Sequence, residues 1–362
     1  MSVERLCYRT EVPVHRYSLV LKSDDERITD AVSGWVDRDI ARYHEADGAS
    51  AKIPVEIELY TSGRADKNGS HARLTPWGTF EEGESGARLA PTGALGGIAP
   101  TGAVDDIAPT GAFEDVQFYA GDKQTALLFG GKSLVVVCLE KGKARGFVAG
   151  EHLASPWILS HRIFYVPVLE ILRGRGAFYI HAGCVCKGKK CILLCGGSGH
   201  GKSTLTYALA RAGFSYMSDD AVFIQNNHSG IEIFAFPEKI KLDQKSRSYF
   251  PEFDRLEPSP GKMEIAAART RIKDFSVEGE PHALIFTQIG RGGKPELTKL
   301  AKSDALVRLI AQSVSVASKN SVEKHIDMLK KIAETSMSFE LKLGDSFEGV
   351  PELLEKTLFP ED

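Results

Sequence analysis

Lys202 and Ser203 close a glycine-rich run, "CGGSGHGKSTL" from Cys195 to Leu205, in which Gly196 is followed by four residues and then Gly201-Lys202-Ser203. That spacing suits a phosphate. Without Cβ atoms, Gly196, Gly197, Gly199 and Gly201 let backbone N–H groups close around phosphate oxygens, with Ser198 and His200 between them. A helix starting near Lys202 adds its positive dipole end. Lys202 can place a point charge on the β- and γ-phosphates, and Ser203 can give one oxygen to Mg²⁺, with Thr204 next to it. ATP and Mg²⁺ are the cofactors this chemistry expects.

Acidic residues follow early. Asp219-Asp220 lies in "GFSYMSDDAVFI", on the segment straight after the loop helix, and His181 lies in "FYIHAGCV", on the strand just before the loop. One carboxylate could hold Mg²⁺ while the other accepts a proton from an attacking hydroxyl. Side chains alternate across a strand, so Asp219 and Asp220 reach one site only if the strand ends there. Motor and switch ATPases place their second acid at the end of a separate downstream strand, and "HALIFTQIG" (His282 to Gly290) carries none.

The elements that must position these residues are legible around them. "AFYIHAGCVC" and "CILLC" read as strands joined by the basic turn Lys187–Lys190. Lys202 to Ala212 carries Leu205, Ala208, Leu209 and Ala212 on one helical face, with Gly213 as its stop, and "FSYMSDDAVFI" reads as the next strand. Strand, loop, helix, strand is the context a phosphate loop requires.

In order and at close spacing, "FYIHAGCV", "GGSGHGKSTL" and "GFSYMSDDAVFI" resemble the HPr kinase/phosphorylase family and its wider HPr-kinase-like relatives. The resemblance continues more weakly in "FAFPEKIKL" and in "SMSFELKLGDSFEGVPELLEKTL", and covers roughly Ser155 to the end. It implies a P-loop fold of the phosphoenolpyruvate-carboxykinase type, with a mixed sheet. It also implies roles: Lys202 on the phosphates, Ser203 and Asp220 on the metal, and Asp219 as base supported by His181. The Glu-Ile-Arg-Gly core of true HPr kinases is missing, and Glu232 or Glu238 are the carboxylates that could replace it. That departure argues against HPr itself as acceptor.

Upstream, "VPVHRYSLVL" reads as a strand, "DERITDAVSGWVDRDIARYHEA" as a helix weakened at Gly34, and "KIPVEIELY" as a strand. From Gly83 to Ala112 a nine-residue period repeats Leu/Ile-Ala-Pro-Thr-Gly-Ala, which reads as a flexible insertion, assigned to residues 83–113. "VQFYA", "TALLF", "SLVVVCL" and "ARGFVAG" then form a meander. After it, "WILSHRIFYVPVLEILR" is a helix kinked at Pro167 and ended by Gly174 and Gly176. The expected architecture is α/β. A smaller β-rich α+β domain spans residues 1–150, and an HPr-kinase-like P-loop domain with a mixed sheet spans 151–362. Apolar residues at helical spacing in the tail (Leu306, Leu309 and Ile310; Ile326, Leu329 and Ile332) read as core or as contacts of a homo-oligomer.

The net charge is −3, with 43% hydrophobic and 26% charged residues, which gives no general reason to bind nucleic acid or a membrane. "MSVERLCYRTEVPVH" is interrupted by charge and Pro13, so no signal peptide is expected, and the six cysteines read as reduced thiols of a cytoplasmic protein. Cys184, Cys186, Cys191 and Cys195 lack the spacing of a standard zinc knuckle. Among the downstream cations (Lys239, Lys241, Lys262, Arg269, Arg271), Lys262 and Arg271 are the ones favoured to clamp a phosphate or acidic acceptor. The function expected is an Mg²⁺-dependent ATP kinase acting on a hydroxyl of a peptide, protein or small molecule. Its rival is an ATP-binding regulator with weak or no phosphotransfer.

Overall fold

The computed structural model describes residues 6–46, 52–61, 116–120, 124–247, 249–253, 262–290, 292–313, 319–344 and 347–360. The Ala-Pro-Thr-Gly repeats lie outside them. In chain order come β1 (Tyr8–Val14), β2 (Tyr17–Ser23), α1 (Glu26–Trp35), α2 (Arg38–Ala46), β3 (Ile53–Thr61), β4 (Val116–Ala120), β5 (Gln124–Phe129), β6 (Ser133–Cys138) and β7 (Lys143–Val148). A π-helical turn (Ile158–Phe164) leads into α3 (Tyr165–Gly174). Then follow β8 (Ala177–Ile180), β9 (Gly183–Lys187), β10 (Lys190–Cys195), α4 (Lys202–Arg211), β11 (Ser215–Ser218), β12 (Val222–Asn226), β13 (Ile231–Phe234), β14 (Ile240–Leu242) and α5 (Gln244–Arg247). The rest are β15 (Met263–Ile265), β16 (Glu278–Ile289), β17 (Glu296–Lys299), α6 (Lys302–Ala311), α7 (Lys319–Thr335), β18 (Met337–Leu343) and α8 (Val350–Leu358).

The protein is a mixed α/β structure. The first seven strands form one sheet in the order β1-β2-β3-β7-β6-β5-β4. "VPVHRYSLVL" is a hairpin rather than one strand: Val14 pairs with Tyr17 across a two-residue loop, and His15 takes φ 48° to make the reversal. The following helix breaks after Trp35, not at Gly34. Asp37 Oδ1 accepts from the N–H groups of Asp39 and Ile40 and so caps α2, which fixes the break later than a glycine alone suggests.

The second large sheet has nine strands, with the path β11-β9-β10-β16-β13-β12-β8, and β18 joins it beside β16. β10, β16 and β18 run parallel, whereas β9, β11, β12 and β13 pair antiparallel. Leu205 and Leu209 of α4 pack on one face, together with Val350, Leu354 and Leu358 of α8. Leu309, Leu329 and Ile332 of α6 and α7 pack on another cluster, with Phe178, Leu193 and Phe286. Those three tail residues are core, while Ile310 and Ile326 are each 40% exposed.

The helix expected to kink at Pro167 changes its winding just ahead of that residue. Pro167 has no N–H to give to the carbonyl four residues back, and the chain widens ahead of it into the π-helical turn, where Tyr165 N–H reaches Ser160 O. Phe164, Val168 and Leu172 share one apolar core with Ile57, Val135 and Val137 of the first sheet and with Phe223 and Phe234 of the second. The two sheets are therefore joined through a continuous core. Among the described residues, no helix is long and apolar enough to cross a membrane.

Candidate functional site

Both segments expected to be single strands are interrupted at the residues chosen for chemistry. β8 pairs with β12, but after His181-Ala182 the chain crosses to pair as β9 with β10 and β11. Likewise β11 ends at Ser218 and β12 begins at Val222, so Asp219 and Asp220 sit in the gap between strands. Ser218 Oγ accepts from the N–H groups of Asp220 and Ala221 and stabilises that turn. The strand end releases the acid pair from strict alternation.

The glycine-rich loop leaves the end of β10 and enters α4. Gly201 is the N-cap residue at φ 82°, and no side chain caps the helix. A Cβ on Gly196 would lie 2.8 Å from Thr287 Oγ1 and 2.9 Å from Thr287 O, so only glycine lets this loop pass beside β16. Gly183 plays the matching part beneath the helix, where a Cβ would stand 2.3 Å from Thr206 Oγ1. Ser198, Gly199 and His200 form the exposed crest, with His200 Nδ1 3.1 Å from Thr287 O.

Lys202 is buried, at 6% exposure, and its Nζ donates to the carbonyls of Gly196 (2.6 Å) and Gly197 (3.2 Å). Burial is the main influence lowering its pKa, opposed by Asp220. Ser203 Oγ is 3.5 Å from the backbone oxygen of Asp219, which puts its hydroxyl beside the acid pair. Thr204 points elsewhere: it is buried and its Oγ1 meets Ser246 Oγ at 2.6 Å, so its side chain does not join the cluster.

The two aspartates occupy different environments. Asp219 is 3% exposed; its Oδ1 accepts from Tyr216 Oη at 2.9 Å and its Oδ2 from Lys241 N–H at 3.3 Å. Each oxygen keeps a second lone pair. Burial first, and the neighbouring charge of Asp220 second, push its pKa up to about 6. Asp220 has 31% of its side chain exposed. Its Oδ1 lies 3.4 Å from His181 Nδ1 and its Oδ2 3.5 Å from Lys241 Nζ. Burial alone would raise its pKa, but Lys241, His181, Lys262 and Lys202 together hold it below the ordinary carboxylate range. His181, whose N–H donates to Gln312 O at 2.8 Å, is kept toward its neutral form by burial, against the pull of Asp220.

Lys202, Ser203, Asp219, Asp220 and His181 thus lie together, as the sequence reading requires. Three further groups belong with them. Lys241 Nζ binds Glu238 Oε2 at 2.6 Å as well as Asp220, and its backbone N–H serves Asp219. Glu238 is held in turn by the α1–α2 corner, where Val36 bridges to Glu238 and Asp37 N–H donates to Pro237 O at 2.7 Å. Lys262, although exposed, acts electrostatically on Asp219, Asp220, His181 and Lys202. Arg271 instead turns toward Glu252, and Lys239 donates to Gly34 O. Sequence alone does not set Lys241 apart, because five lysines and arginines look alike there; β14 buries Ile240 and Leu242 on one face and leaves Lys241 on the other, where it meets Glu238 and Asp220. Glu232 lies in a different cluster, with His15 and Arg16.

Lys241 is the cation that makes this concentration of carboxylates tolerable. With Lys241→Met, Glu238 and Asp220 face each other without their shared ammonium. Breaking a buried pair in this way costs about 3–5 kcal/mol. Urea titration at pH 7 is expected to show that loss, with partial recovery as pH is lowered and the raised Glu238 carboxyl takes up a proton.

The cysteines depart from expectation. The hairpin register sets Cys186 directly opposite Cys191, with Cα atoms 4.1 Å apart, and the two form a disulfide. This corrects the reading of all six as reduced thiols and removes two thiolates from any zinc site there. Cys184 and Cys195 are buried free thiols, and burial pushes Cys195 up to about 12.

No family model matches the chain, and no curated protein matches it. Among solved structures, the Hpr(Ser) kinase/phosphatase from Coxiella burnetii is similar at 13% identity, over 49% of this chain and 91% of that chain, with a TM-score of 0.27.

Proposed function

We propose that the chain is an Mg²⁺-dependent ATP kinase that transfers the γ-phosphoryl group to a hydroxyl acceptor. The observation that carries this reading is the division between adjacent carboxylates beside a loop lysine. Burial and the neighbouring Asp220 push Asp219 up to about 6, while Asp220, 3.4 Å from His181 Nδ1 and 3.5 Å from Lys241 Nζ, is held low by the surrounding cations. A proton acceptor needs a pKa near working pH, whereas a cation ligand needs a stable charge.

The glycine-rich loop, with Gly199 and Gly201 at positive φ ahead of α4, suits a phosphate chain. Gly196, Gly197, Ser198, Gly199, His200 and Gly201 would surround it, with the uncapped N–H groups of α4 behind. Ser203 and Asp220 would hold Mg²⁺, which when bound to ATP supplies charge neutralisation at the transferred group. Lys202 sits at the loop centre and offsets negative charge that develops on the departing phosphates. Asp219 takes the proton from the acceptor hydroxyl, and its oxygens retain the lone pairs to do so. His181 keeps Asp220 oriented, and Lys241 keeps both aspartates in place. Lys262, exposed at the rim, suits an acceptor with an acidic group.

Product accounting tests this. With ATP, Mg²⁺ and a cell extract split into small-molecule and macromolecular fractions, a kinase yields ADP in excess of inorganic phosphate, and the deficit appears on an acceptor. ADP and inorganic phosphate in equal amounts would make the chain an ATPase, and binding without turnover would make it a nucleotide-responsive regulator.

A further inference from the structure

A second cluster of ligating groups lies away from the loop, where the first sheet meets the second. His15 occupies the tip of the β1–β2 hairpin at φ 48°, the one non-glycine residue with positive φ among those described. Its side chain is only 6% exposed and its ring stacks on Phe234, with centroids 5.0 Å apart. Two carboxylates flank the ring. Nε2 lies 3.0 Å from Glu232 Oε2, and Nδ1 lies 3.7 Å from Glu278 Oε2. Glu232 is on β13 and Glu278 opens β16, and the pairing of Phe234 with Glu278 puts both carboxylates on the face of the sheet where the imidazole lies. Nδ1 is buried and has no hydrogen-bond partner.

We propose that His15, Glu232 and Glu278 bind one divalent transition-metal ion of the zinc class, which pins the hairpin to the second sheet. One ligand atom from each residue falls within 4.8 Å of the others. Zinc bonds to imidazole and carboxylate are about 2.0–2.2 Å long, so ligands around a tetrahedral ion stand roughly 3.3–3.6 Å apart. With the unpartnered Nδ1 as the ligand atom, the 3.7 Å gap to Glu278 Oε2 is already close to that, and Glu232 must rotate from the Nε2 side of the ring to bring its carboxylate to the same ion. Two carboxylates and a neutral imidazole balance a 2+ charge. The imidazole disfavours magnesium and calcium, which take oxygen ligands.

Other groups touch the cluster. Arg16 Nη2 pairs with Glu232 Oε2, and Arg16 Nε donates to His15 Nε2 at 3.1 Å. Asn227 Nδ2 donates to Glu232 Oε1 at 3.3 Å, and Lys189 Nζ meets Glu278 Oε1 at 3.3 Å. His44 Nδ1 accepts the His15 backbone N–H at 3.0 Å, and burial pushes His44 down to about 3, so it adds no charge. Lys189 pairs with the outer oxygen of Glu278, so the cation resident on His15 and Glu232 themselves is Arg16, whose side chain is 36% exposed. It can swing into water when a metal takes its place, so Arg16 and the metal compete.

The test uses the full-length chain, stripped with EDTA and titrated with zinc sulfate against a chromophoric zinc indicator, with metal content measured in parallel. One zinc per chain is expected, together with a rise in Tm. Glu278→Gln, at a partly exposed position, should weaken binding at least about tenfold, the lower end of what losing even a supporting partner of a metal ligand costs. His15→Asn should do the same, since asparagine tolerates the positive φ. Arg16→Gln should keep or tighten binding, which a merely structural ion pair would not produce. Less than one zinc per chain, binding undiminished in both Glu278→Gln and His15→Asn (zinc held elsewhere, for instance by cysteines), or loss in Arg16→Gln would overturn the proposal.

Discussion

Asp219→Asn is expected to keep nucleotide binding and to slow phosphoryl transfer by about 10²–10⁴, the usual contribution of a positioned general base. The substitution preserves shape. An asparagine Oδ1 can accept from Lys241 N–H while its Nδ2 donates to Tyr216 Oη, which keeps both contacts but reverses the second and takes the acceptor from the tyrosine hydroxyl proton. Stability should change in the opposite sense to activity. The folded-state pKa of Asp219, about 6, is above its ordinary value of 3.8. A raised carboxyl stabilises the fold below the unfolded value, and that contribution is lost as pH rises through the folded value. Above pH 6 the charged form is therefore a burden that asparagine removes. A shift of roughly two units at about 1.36 kcal/mol each sets a ceiling on the order of 3 kcal/mol. Urea titrations should show the variant more stable than wild type at pH 8 and no more stable at pH 4. In the wild type, the rate of transfer should fall as pH drops through about 6, because the base becomes protonated.

Lys202→Ala is expected to abolish tight ATP binding and to lower transfer by at least about 10²–10³, as removal of one preorganised charge at a developing oxyanion does. Lys202 Nζ also ties the Gly196 and Gly197 carbonyls together, so the loop loses its internal brace along with its charge. Arginine should restore little, because its planar fork cannot place a compact charge between those two carbonyls. Calorimetric titration with Mg²⁺ and ATP separates this outcome from that of Asp219→Asn: heat is lost in the first variant and kept in the second.

How far the site is legible in the sequence differs residue by residue. The run from Cys191 to Leu209 is readable because glycine spacing and helical periodicity agree, and α4 begins at Lys202. The convergence of Asp219 and Asp220 is readable only as a condition, that a strand must end there, and the gap between β11 and β12 meets it. Lys241 does not stand out among the downstream cations, and Glu238 is legible only as one of two candidate carboxylates with Glu232, because their places depend on the β14–β15 pair and on the α1–α2 corner, both tertiary facts. Asp37 shows the same dependence. One of its oxygens caps α2, while Oδ2 accepts from the distant Ala267 N–H at 2.7 Å. The β1–β2 hairpin is hidden because its loop is His15-Arg16, without the glycine or asparagine that usually marks a two-residue reversal. The Cys186–Cys191 pairing is within reach of alternation alone: with the turn at Gly188-Lys189, the two cysteines fall opposite each other.

The most direct measurement follows γ-labelled ATP in wild type, Asp219→Asn and Lys202→Ala side by side, with Mg²⁺ and the acceptor fraction. Label should move to an organic acceptor in the wild type, only in trace in Asp219→Asn, and not at all in Lys202→Ala. Label transferred equally by wild type and Asp219→Asn, or released by all three only as inorganic phosphate, would contradict a kinase in which Asp219 takes the acceptor's proton.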